Sequence, residues 1–424
     1  MSTTARSCAI PDTPLARELP GIMTCVHCGF CLQACPTYLA LGEENDSPRG
    51  RIVLMRSLIE GELSVDDADV HTHIDRCLGC RACETACPSG VPYGQLLEAT
   101  RATLNESRPL APIARLILWV FARPFILSVA MALGRLARAT GVATLMARAP
   151  GRLGFAGAML ASTKRALPSR AYTRRGTTAR ERVAILEGCV MKGLFADTNR
   201  ATERVLTANG YSLTHASGQR CCGALHAHAG DLDTARTLAR RNVTAFEQSG
   251  ADIVAVNASG CGAIMKEYGH LLAHDPAWAE RASRLSARVR DVSELLAAAG
   301  PERGGEVAVR ATYDAPCHLL HAQRVARQPL AVLESIPRLE LVPLPDAEHC
   351  CGSAGIYNLI EPEVAQAVLA PKLAHIESTG AALVATGNPG CLMQIGAGLM
   401  RAGAPTRVVH PIDLLDASYA SSAP

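Results

Sequence analysis

The sequence lacks several features that define common functional classes. Its formal net charge is only +3 over 424 residues, which argues against a nucleic-acid-binding surface. The first 21 residues contain no apolar core, so we expect no signal peptide. No apolar run reaches the ~20 residues that cross a bilayer, and no glycine-rich nucleotide motif lies between a strand-like and a helix-like segment. We therefore predict a cytoplasmic chain with no transmembrane helix, no nucleic-acid partner and no flavin site of its own.

Cysteine, by contrast, is abundant: the chain has 17 cysteines. Eight of them form two runs with the same spacing, and a proline follows each run. The first run is Cys25, Cys28, Cys31 and Cys35, and the second is Cys77, Cys80, Cys83 and Cys87. Thiolates three residues apart can surround one cluster of iron and sulfide, whereas zinc sites typically use two separated pairs. The runs therefore predict two 4Fe–4S clusters and a role in electron transfer, with zinc as the alternative, and such clusters suit a reducing cytosol. Cys8 stands alone and is interpreted as an unliganded thiol.

A second set of cysteines is repeated within the chain. Its first copy is Cys189, Cys221, Cys222 and Cys261, and its second copy is Cys317, Cys350, Cys351 and Cys391. The offsets between matching landmarks are 128, 129 and 130 residues, which indicates a duplication. A glycine follows the adjacent pair in both copies, and it permits a turn with positive φ. Four interpretations stay open for each copy: an iron–sulfur cluster, a zinc site, a redox-active disulfide, or buried structural cysteines.

The segments around the repeated cysteines predict an α/β fold. Strand-like runs at 183–186 and 307–313 lead to the first cysteine of each copy, and runs at 253–256 and 383–386 lead to the last. Helical stretches lie between them, for example at 231–248 and 362–378. In a parallel sheet, loops that follow strands meet at one edge. Four cysteines from three loops can therefore converge in each copy.

The segment between the two cysteine-rich parts has a different character. Apolar runs at 116–122 and 124–134 are separated by Arg123, and arginines flank both. Residues 111–138 are thus predicted to form either a helix pair at the core or a subunit interface, or a basic amphipathic segment on a membrane surface. Residues 163–181 are polar and basic and are interpreted as a linker.

These patterns divide the chain into four parts and predict an α+β multidomain protein. The predicted parts are a mainly helical two-cluster domain at 1–100, an apolar and basic helical segment with its linker at 101–181, and duplicated Rossmann-like α/β domains at 182–300 and 301–424. Within the first part, residues 46–73 are predicted to be mostly helical, with Ile52, Met55 and Leu58 on one apolar face.

The two runs of the first part resemble those of bacterial two-cluster ferredoxins. The gap from Cys35 to Cys77 is 42 residues, and in this the part is similar to the helical domain of the iron–sulfur subunits of succinate dehydrogenase and fumarate reductase. In the ferredoxin pattern the fourth cysteine of each run binds the other cluster. The resemblance implies one 4Fe–4S cluster on Cys25, Cys28, Cys31 and Cys87. It implies a second on Cys77, Cys80, Cys83 and Cys35.

The repeated cysteines resemble the cysteine-rich domains of heterodisulfide reductase and of lactate-oxidation proteins. With the motifs CCGALHAHAG at 221–230 and CCGSAGIYN at 350–358, the domain order resembles the iron–sulfur subunits of bacterial glycolate oxidase. That family implies an electron-transfer subunit with no catalytic residue of its own. Its flavin-containing partner subunits would oxidise glycolate to glyoxylate, and the electrons would pass to a quinone or another membrane acceptor. The complex would then lie peripherally on the cytoplasmic face of the inner membrane.

The chain departs from the heterodisulfide reductase pattern at one point. That pattern ends each repeat in a Cys-x-x-Cys pair, but here Ile264 and Gln394 occupy the place of the second cysteine. A five-cysteine cluster therefore cannot be carried over, and His226, His318 or His349 are the nearest candidates for an additional ligand. The same layout also fits a subunit of a lactate, 2-hydroxyglutarate or anaerobic glycerol 3-phosphate dehydrogenase. A thiol-disulfide reductase is the alternative from another class.

Overall fold

The computed structural model describes residues 8–168, 172 and 179–422. The predicted linker at 163–181 lies partly outside these described residues. Within them, a helical N-terminal part and a group of four helices precede two parts that each contain a parallel sheet.

The part that carries the two cysteine runs is helical over its described residues. Its helices are α1 (Pro14–Arg17), α2 (Leu19–Met23), α3 (Pro36–Leu41), α4 (Pro48–Glu60), α5 (Ala68–Asp75), α6 (Ala82–Ala86) and α7 (Tyr93–Ser107). The side chain of Ser47 caps α4 by accepting a hydrogen bond from Gly50 N at 3.0 Å. The helix ends at Gly61, where φ is 74°. The predicted helical stretch at 46–73 is therefore two helices, while its predicted apolar face is buried.

Four helices connect this part to the sheets. They are α8 (Pro112–Phe121), α9 (Pro124–Ala139), α10 (Val142–Met146) and α11 (Gly151–Ser162). α9 begins at Pro124, which lacks a backbone N–H and therefore starts a new helix. α11 packs against a long helix of the second sheet-containing part.

The first repeat contains a four-stranded parallel sheet with the strand order β2-β1-β3-β4. Its strands are β1 (Arg182–Ile185), β2 (Ser212–Thr214), β3 (Ile253–Val256) and β4 (Val289–Asp291). Its helices are α12 (Val190–Leu194), α13 (Ala196–Ala208), α14 (Ala224–His228), α15 (Leu232–Gln248), α16 (Ser259–Lys266), α17 (Tyr268–Leu271), α18 (Ala279–Ser286) and α19 (Val292–Ala299). Short apolar strands that are mostly buried form this sheet.

The second repeat has the same topology, with the strand order β6-β5-β7-β8. Its strands are β5 (Val309–Tyr313), β6 (Leu339–Val342), β7 (Leu383–Ala385) and β8 (Arg407–Val409). Its helices are a π-helical turn (His318–Ala322), α20 (Arg327–Glu334), α21 (Tyr357–Ile360), α22 (Pro362–Ser378), α23 (Pro389–Ala402) and α24 (Pro411–Ser421). The matching order supports the duplication, and the finer Rossmann-like description stays a prediction.

The two repeats are interlocked by their helices. α24 of the second repeat packs on α13 of the first, and α19 of the first packs on α20 of the second. Asp413 on α24 accepts a hydrogen bond from the Thr198 hydroxyl at 3.0 Å, and Asp416 forms an ion pair with Arg204 at 2.6 Å. One buried apolar cluster contains residues of both sheets. The loops that carry the repeated cysteines are therefore held in a fixed relation to one another.

Candidate metal centres

Two small cavities lie between the cysteine runs. The first cavity is bordered by Cys25, Cys28, Cys31 and Cys87. The second is bordered by Cys35, Cys77, Cys80 and Cys83. Cys83 also reaches the first cavity. In this structure the fourth cysteine of each run thus lies beside the first three cysteines of the other run.

The two runs share an unusual backbone. The residues two and four positions after the first cysteine have positive φ in both runs: His27 and Gly29 in the first, Gly79 and Arg81 in the second. Left-handed residues of this kind curl a short loop, and two of the four carry a side chain. In the second run the curl brings Gly79 N within 3.4 Å of Cys77 Sγ, to which it donates a hydrogen bond. Each loop therefore wraps around the space that its cysteines border.

The chemistry of these cavities suits iron–sulfur clusters. Their donors are all thiols, which favour iron–sulfur clusters or zinc over magnesium or calcium. Burial raises the pKa of Cys31 to about 11, and it raises the pKa of Cys83 well above the usual range. Cys31 and Cys83 are therefore protonated when no metal is bound, and metal binding must displace those protons.

A buried ion pair ties the first run to the second. Arg51 and Asp46 have fully buried side chains, and their closest nitrogen and oxygen are 3.2 Å apart. The Arg51 guanidinium also donates to Thr37 Oγ1 at 3.1 Å and to the carbonyl oxygen of His73 at 2.6 Å. Thr37 Oγ1 lies 3.2 Å from Cys35 Sγ. The position of Cys35 therefore depends on a charge network that reaches the segment before Cys77.

The cysteines of the first repeat converge from two loops and from the first turn of α16, which carries Cys261. Cys189 Sγ and Cys221 Sγ are 3.6 Å apart, and Cys222 contacts Cys261. Hydrogen bonds from Cys189 and Cys222 hold the pKa of Cys221 well below its usual range. This repeat therefore brings four thiols together, and the pKa of the Cys221 thiol is lowered by its neighbours.

The second repeat shows the same arrangement. Cys351 Sγ and Cys391 Sγ are 3.1 Å apart. Hydrogen bonds from Cys317, Cys351 and Cys80 hold the pKa of Cys350 well below its usual range. The glycine after each pair has positive φ, 88° at Gly223 and 81° at Gly352. A Cβ at Gly352 would lie 2.5 Å from the carbonyl oxygen of Ala365, so the loop needs glycine for space as well as for its conformation.

The two copies differ in charge beside the cysteines. Lys372 and Asp314 form a fully buried ion pair at 2.9 Å in the second repeat. Lys372 also donates to the carbonyl oxygens of Asp346 and Ala347. The matching positions in the first repeat hold Leu186 and Asn242, which are buried as well but uncharged. The second set of thiols is thus beside a buried cation that the first set lacks.

The second repeat contacts the second cysteine run directly. Cys80 hydrogen bonds with Cys350, and both belong to one buried cluster. His318 Nε2 is 3.0 Å from the carbonyl oxygen of Gly79, and Thr85 Oγ1 is 2.8 Å from His321 Nδ1. The second run therefore lies between its own cavity and the thiols of the second repeat.

The candidate histidines have other partners in this structure. His226 Nε2 lies 3.1 Å from the carbonyl oxygen of Leu118, while its Nδ1 is buried without a partner among the described residues. Burial lowers the pKa of His318 to about 4, so that ring is neutral. His349 is partly exposed near Asp346. Among the three, His226 alone combines burial with a ring nitrogen that has no partner among the described residues.

The helix pair α8–α9 presents an apolar surface to solvent. Ala114, Leu118 and Leu127 are buried, whereas Leu116 is 56 % and Phe125 is 80 % exposed. Packing against the core of this chain therefore does not account for the exposed apolar residues of α8 and α9. No single described helix is long and apolar enough to cross a bilayer, and α8 and α9 reach that criterion only as a pair bent by 103°.

Sequence reasoning missed the buried charges around these sites. Arg51 lies on the same face of α4 as Ile52, Met55 and Leu58, and Lys372 lies on the buried face of α22 with Leu369. The sequence did offer a signal for these pairs, namely a charged residue at an otherwise apolar helix position. Lys and Arg are almost never fully buried unless they are paired.

Comparisons with known proteins follow the same division. The family described as "4Fe-4S dicluster domain" matches residues 21–91. The family described as "Cysteine-rich domain" matches residues 183–266 and 311–396. Together these matches define an iron–sulfur protein with a dicluster domain and two cysteine-rich domains.

Individual related proteins indicate the family more specifically than the domain matches do. The chain is 37 % identical over 415 residues to the "Probable glycolate oxidase iron-sulfur subunit" of Bacillus subtilis (strain 168), with 93 % of both chains covered. It is 35 % identical over 408 residues to the "Glycolate oxidase iron-sulfur subunit" of Escherichia coli (strain K12), again with 93 % of both covered. The "Lactate utilization protein A" of Geobacillus thermodenitrificans is 31 % identical over 237 residues, which are 55 % of this chain and 98 % of that one. This chain belongs to the family of glycolate oxidase iron–sulfur subunits.

Proposed function

We propose that this chain is the electron-transfer subunit of a glycolate oxidase complex. Flavin-containing partner subunits oxidise glycolate to glyoxylate, and the electrons leave through this chain to a quinone or another membrane acceptor. The observation that carries the proposal is the similarity to two glycolate oxidase iron–sulfur subunits over 93 % of the chain. The absence of a nucleotide-binding glycine motif from the sequence agrees with a flavin on other subunits.

The two cavities of the helical part support crossed ligand sets. One 4Fe–4S cluster is bound by Cys25, Cys28, Cys31 and Cys87. The other is bound by Cys77, Cys80, Cys83 and Cys35. Such clusters, when bound, accept and release single electrons. The chain itself supplies the thiolates, the curled loops around them and the buried cation of Arg51, which lies near Cys35 and Cys77.

The repeated cysteines extend this role toward the rest of the chain. Cys189, Cys221, Cys222 and Cys261 form one additional metal or cluster site, and Cys317, Cys350, Cys351 and Cys391 form another. The contact between Cys80 and Cys350 supports electron exchange between the second run and the second repeat. The predicted domains at 1–100, 182–300 and 301–424 each hold one part of this arrangement, and 101–181 carries the exposed helix pair.

A subunit for lactate oxidation is the second candidate. It is favoured by the relatives named lactate utilization protein A, which match 55 % of this chain. One experiment separates the candidates: tagged chain is purified anaerobically from its own cells, and its iron–sulfur EPR signals are recorded after adding glycolate, lactate or glycerol 3-phosphate. Bound flavoprotein subunits and signals that grow with glycolate are the expected result. If the EPR signals respond only to lactate or to glycerol 3-phosphate, that compound replaces glycolate as the proposed substrate. If the signals respond to none of the three compounds, the proposal is overturned.

The same purified complex gives the metal content. Two 4Fe–4S clusters account for about eight iron and eight sulfide per chain. Clearly more iron, with Mössbauer spectra unlike those of ferredoxins, identifies the repeated cysteines as cluster sites. An iron content of about eight per chain would mean that the repeated cysteines bind zinc, form a disulfide or only pack in the core.

The helix pair α8–α9 attaches the complex to the membrane surface. Between Glu106 and Glu181 the sequence has thirteen arginines and lysines and no acidic residue. The Arg123 guanidinium lies over the ring of Trp119 at 4.2 Å. Apolar side chains flanked by cations bind anionic lipid surfaces, with about 1 kcal/mol for each cation near the surface.

Replacing Trp119, Phe121 and Phe125 together with serine is expected to reduce sedimentation with phosphatidylglycerol vesicles at least about tenfold, because apolar area is lost. The matched control replaces Leu39, Val53 and Leu213, which are exposed apolar residues outside the segment, and should sediment like the unmodified chain. Equal sedimentation of both triple variants would contradict membrane attachment by this surface.

A further inference from the structure

A cleft of about 290 Å³ lies between the helix pair α8–α9 and the first repeat. One wall is apolar and is formed by Phe121, Leu127 and Met131. The opposite wall is formed by the loops that carry Cys189 and Cys221. The other two thiols of that repeat, Cys222 and Cys261, do not border the cleft. The cleft therefore reaches the thiols of Cys189 and Cys221 but not those of Cys222 and Cys261.

Among the described residues that line the cleft, one buried side-chain donor has no partner. Lys192 is paired with Glu187, and the Arg135 guanidinium donates to the carbonyl oxygen of Gly193 at 2.9 Å. Arg220 donates through Nη1 to the carbonyl oxygen of Gln219, but its Nε is buried and has no partner within the described part of the chain. A buried N–H without an acceptor costs free energy unless a ligand accepts its hydrogen bond.

We propose that this cleft binds the head group of a lipophilic quinone, an inference that rests on the electron-transfer role proposed above. A quinone head group is a flat, largely apolar ring with two carbonyl acceptors. The apolar wall suits the ring, and the Arg220 guanidinium, which borders the cleft, can donate a hydrogen bond to a carbonyl oxygen.

The position of the cleft suits a ligand that arrives from lipid. Its apolar wall belongs to the same two helices whose other faces are exposed and apolar, including Leu116 and Phe125. With those faces on a bilayer, the isoprenoid tail can stay in lipid while the head group enters beside Cys189. Pro124 and Ser128 lie at the helix side of the cleft, and Ser128 is exposed.

The reaction at this position balances without a further reagent. Reduction of a quinone to its quinol consumes two electrons and two protons. Oxidation of glycolate to glyoxylate on the partner subunits releases two electrons and two protons. The electrons travel through this chain, and the protons taken up at the cleft come from water at its open side.

The test uses the purified complex and decylubiquinone as the probe. Ser128→Trp fills the cleft from an exposed position, while Ala130→Trp adds the same side chain at an exposed position of α9 that does not border the cleft. Ser128→Trp should raise the KM for decylubiquinone at least about tenfold. Ala130→Trp should leave it unchanged, and glycolate should still produce the iron–sulfur EPR signals in both variants.

A second variant guards against a local change in folding. Arg220→Met removes the guanidinium donors and keeps an unbranched apolar stem, and it should weaken decylubiquinone binding at least about fivefold in equilibrium dialysis. Unchanged binding in both Ser128→Trp and Arg220→Met overturns the quinone site but leaves the electron-transfer role intact, provided that glycolate still produces the EPR signals. Loss of those signals from the unmodified complex overturns the proposed function itself.

Discussion

Replacing Cys87 with serine is expected to remove or alter the cluster of the first cysteine run. Cys87 borders the same cavity as Cys25, although the two belong to different runs. The chain should then contain up to about four fewer iron atoms, the content of one 4Fe–4S cluster. Iron and sulfide analysis and EPR of the anaerobically purified variant measure the change.

The decisive comparison is among four serine variants. Crossed ligands predict that Cys87→Ser gives the same altered EPR spectrum as Cys25→Ser, and that Cys35→Ser gives the same one as Cys77→Ser. Cys8→Ser is the control, since Cys8 packs against the apolar core of the helical part outside both cavities, and it should retain the full iron content. If Cys87→Ser affects only the signal that Cys77→Ser also affects, each run holds its own cluster and the crossed assignment is wrong.

Replacing Arg51 with methionine is expected to destabilise the helical part by about 1.5–3 kcal/mol, the usual contribution of a hydrogen bond to a charged group. The change removes one of two arginine partners of the fully buried Asp46 carboxylate, which keeps Arg76 at 3.2 Å and His73 at 3.1 Å. It also removes the hydrogen bond to Thr37, which supports Cys35. We expect a lower midpoint in thermal unfolding, followed by circular dichroism, together with earlier loss of the iron–sulfur absorbance.

Two further variants identify the cause. Arg56→Met removes a partly exposed ion pair with Glu60 on the same helix, and such pairs contribute about 0–1 kcal/mol. Adding Asp46→Asn to Arg51→Met removes the buried charge that Arg51 had helped to balance and should recover part of the loss. A midpoint for Arg51→Met equal to that of Arg56→Met would refute the importance of the buried pair.

Much of the fold could be predicted because the cysteines stand next to regular patterns. Alternating or apolar runs before Cys189 and Cys317 predicted β1 and β5, and the constant offset predicted two sheets of one topology. The break between α4 and α5 was missed, although Gly61 marks it. The apolar residues on both sides of Gly61 follow a helical periodicity, and a single glycine was not enough to predict an end to the helix.

The site could be predicted less completely. Spacing alone gathers the cysteines within each run, because neighbours along the chain are neighbours in space. The contact between Cys80 and Cys350 joins residues 270 positions apart, and no local pattern encodes such a contact. The buried ion pair of Lys372 and Asp314 was also missed. The sequence alone does not show that the buried face of α22 packs against the residue that follows β5.

The helix α24 has a consequence for how the chain is made. Its residues Asp413 and Asp416 hold α13 of the first repeat through Thr198 and Arg204. A ribosome synthesises α24 more than 200 residues after α13. The first repeat therefore completes its packing only after the second repeat has been synthesised, whereas α1 to α7 can collapse upon one another much earlier. Newly made chains would thus present finished cysteine runs to the cluster-delivery machinery before the repeated cysteines have been closed in.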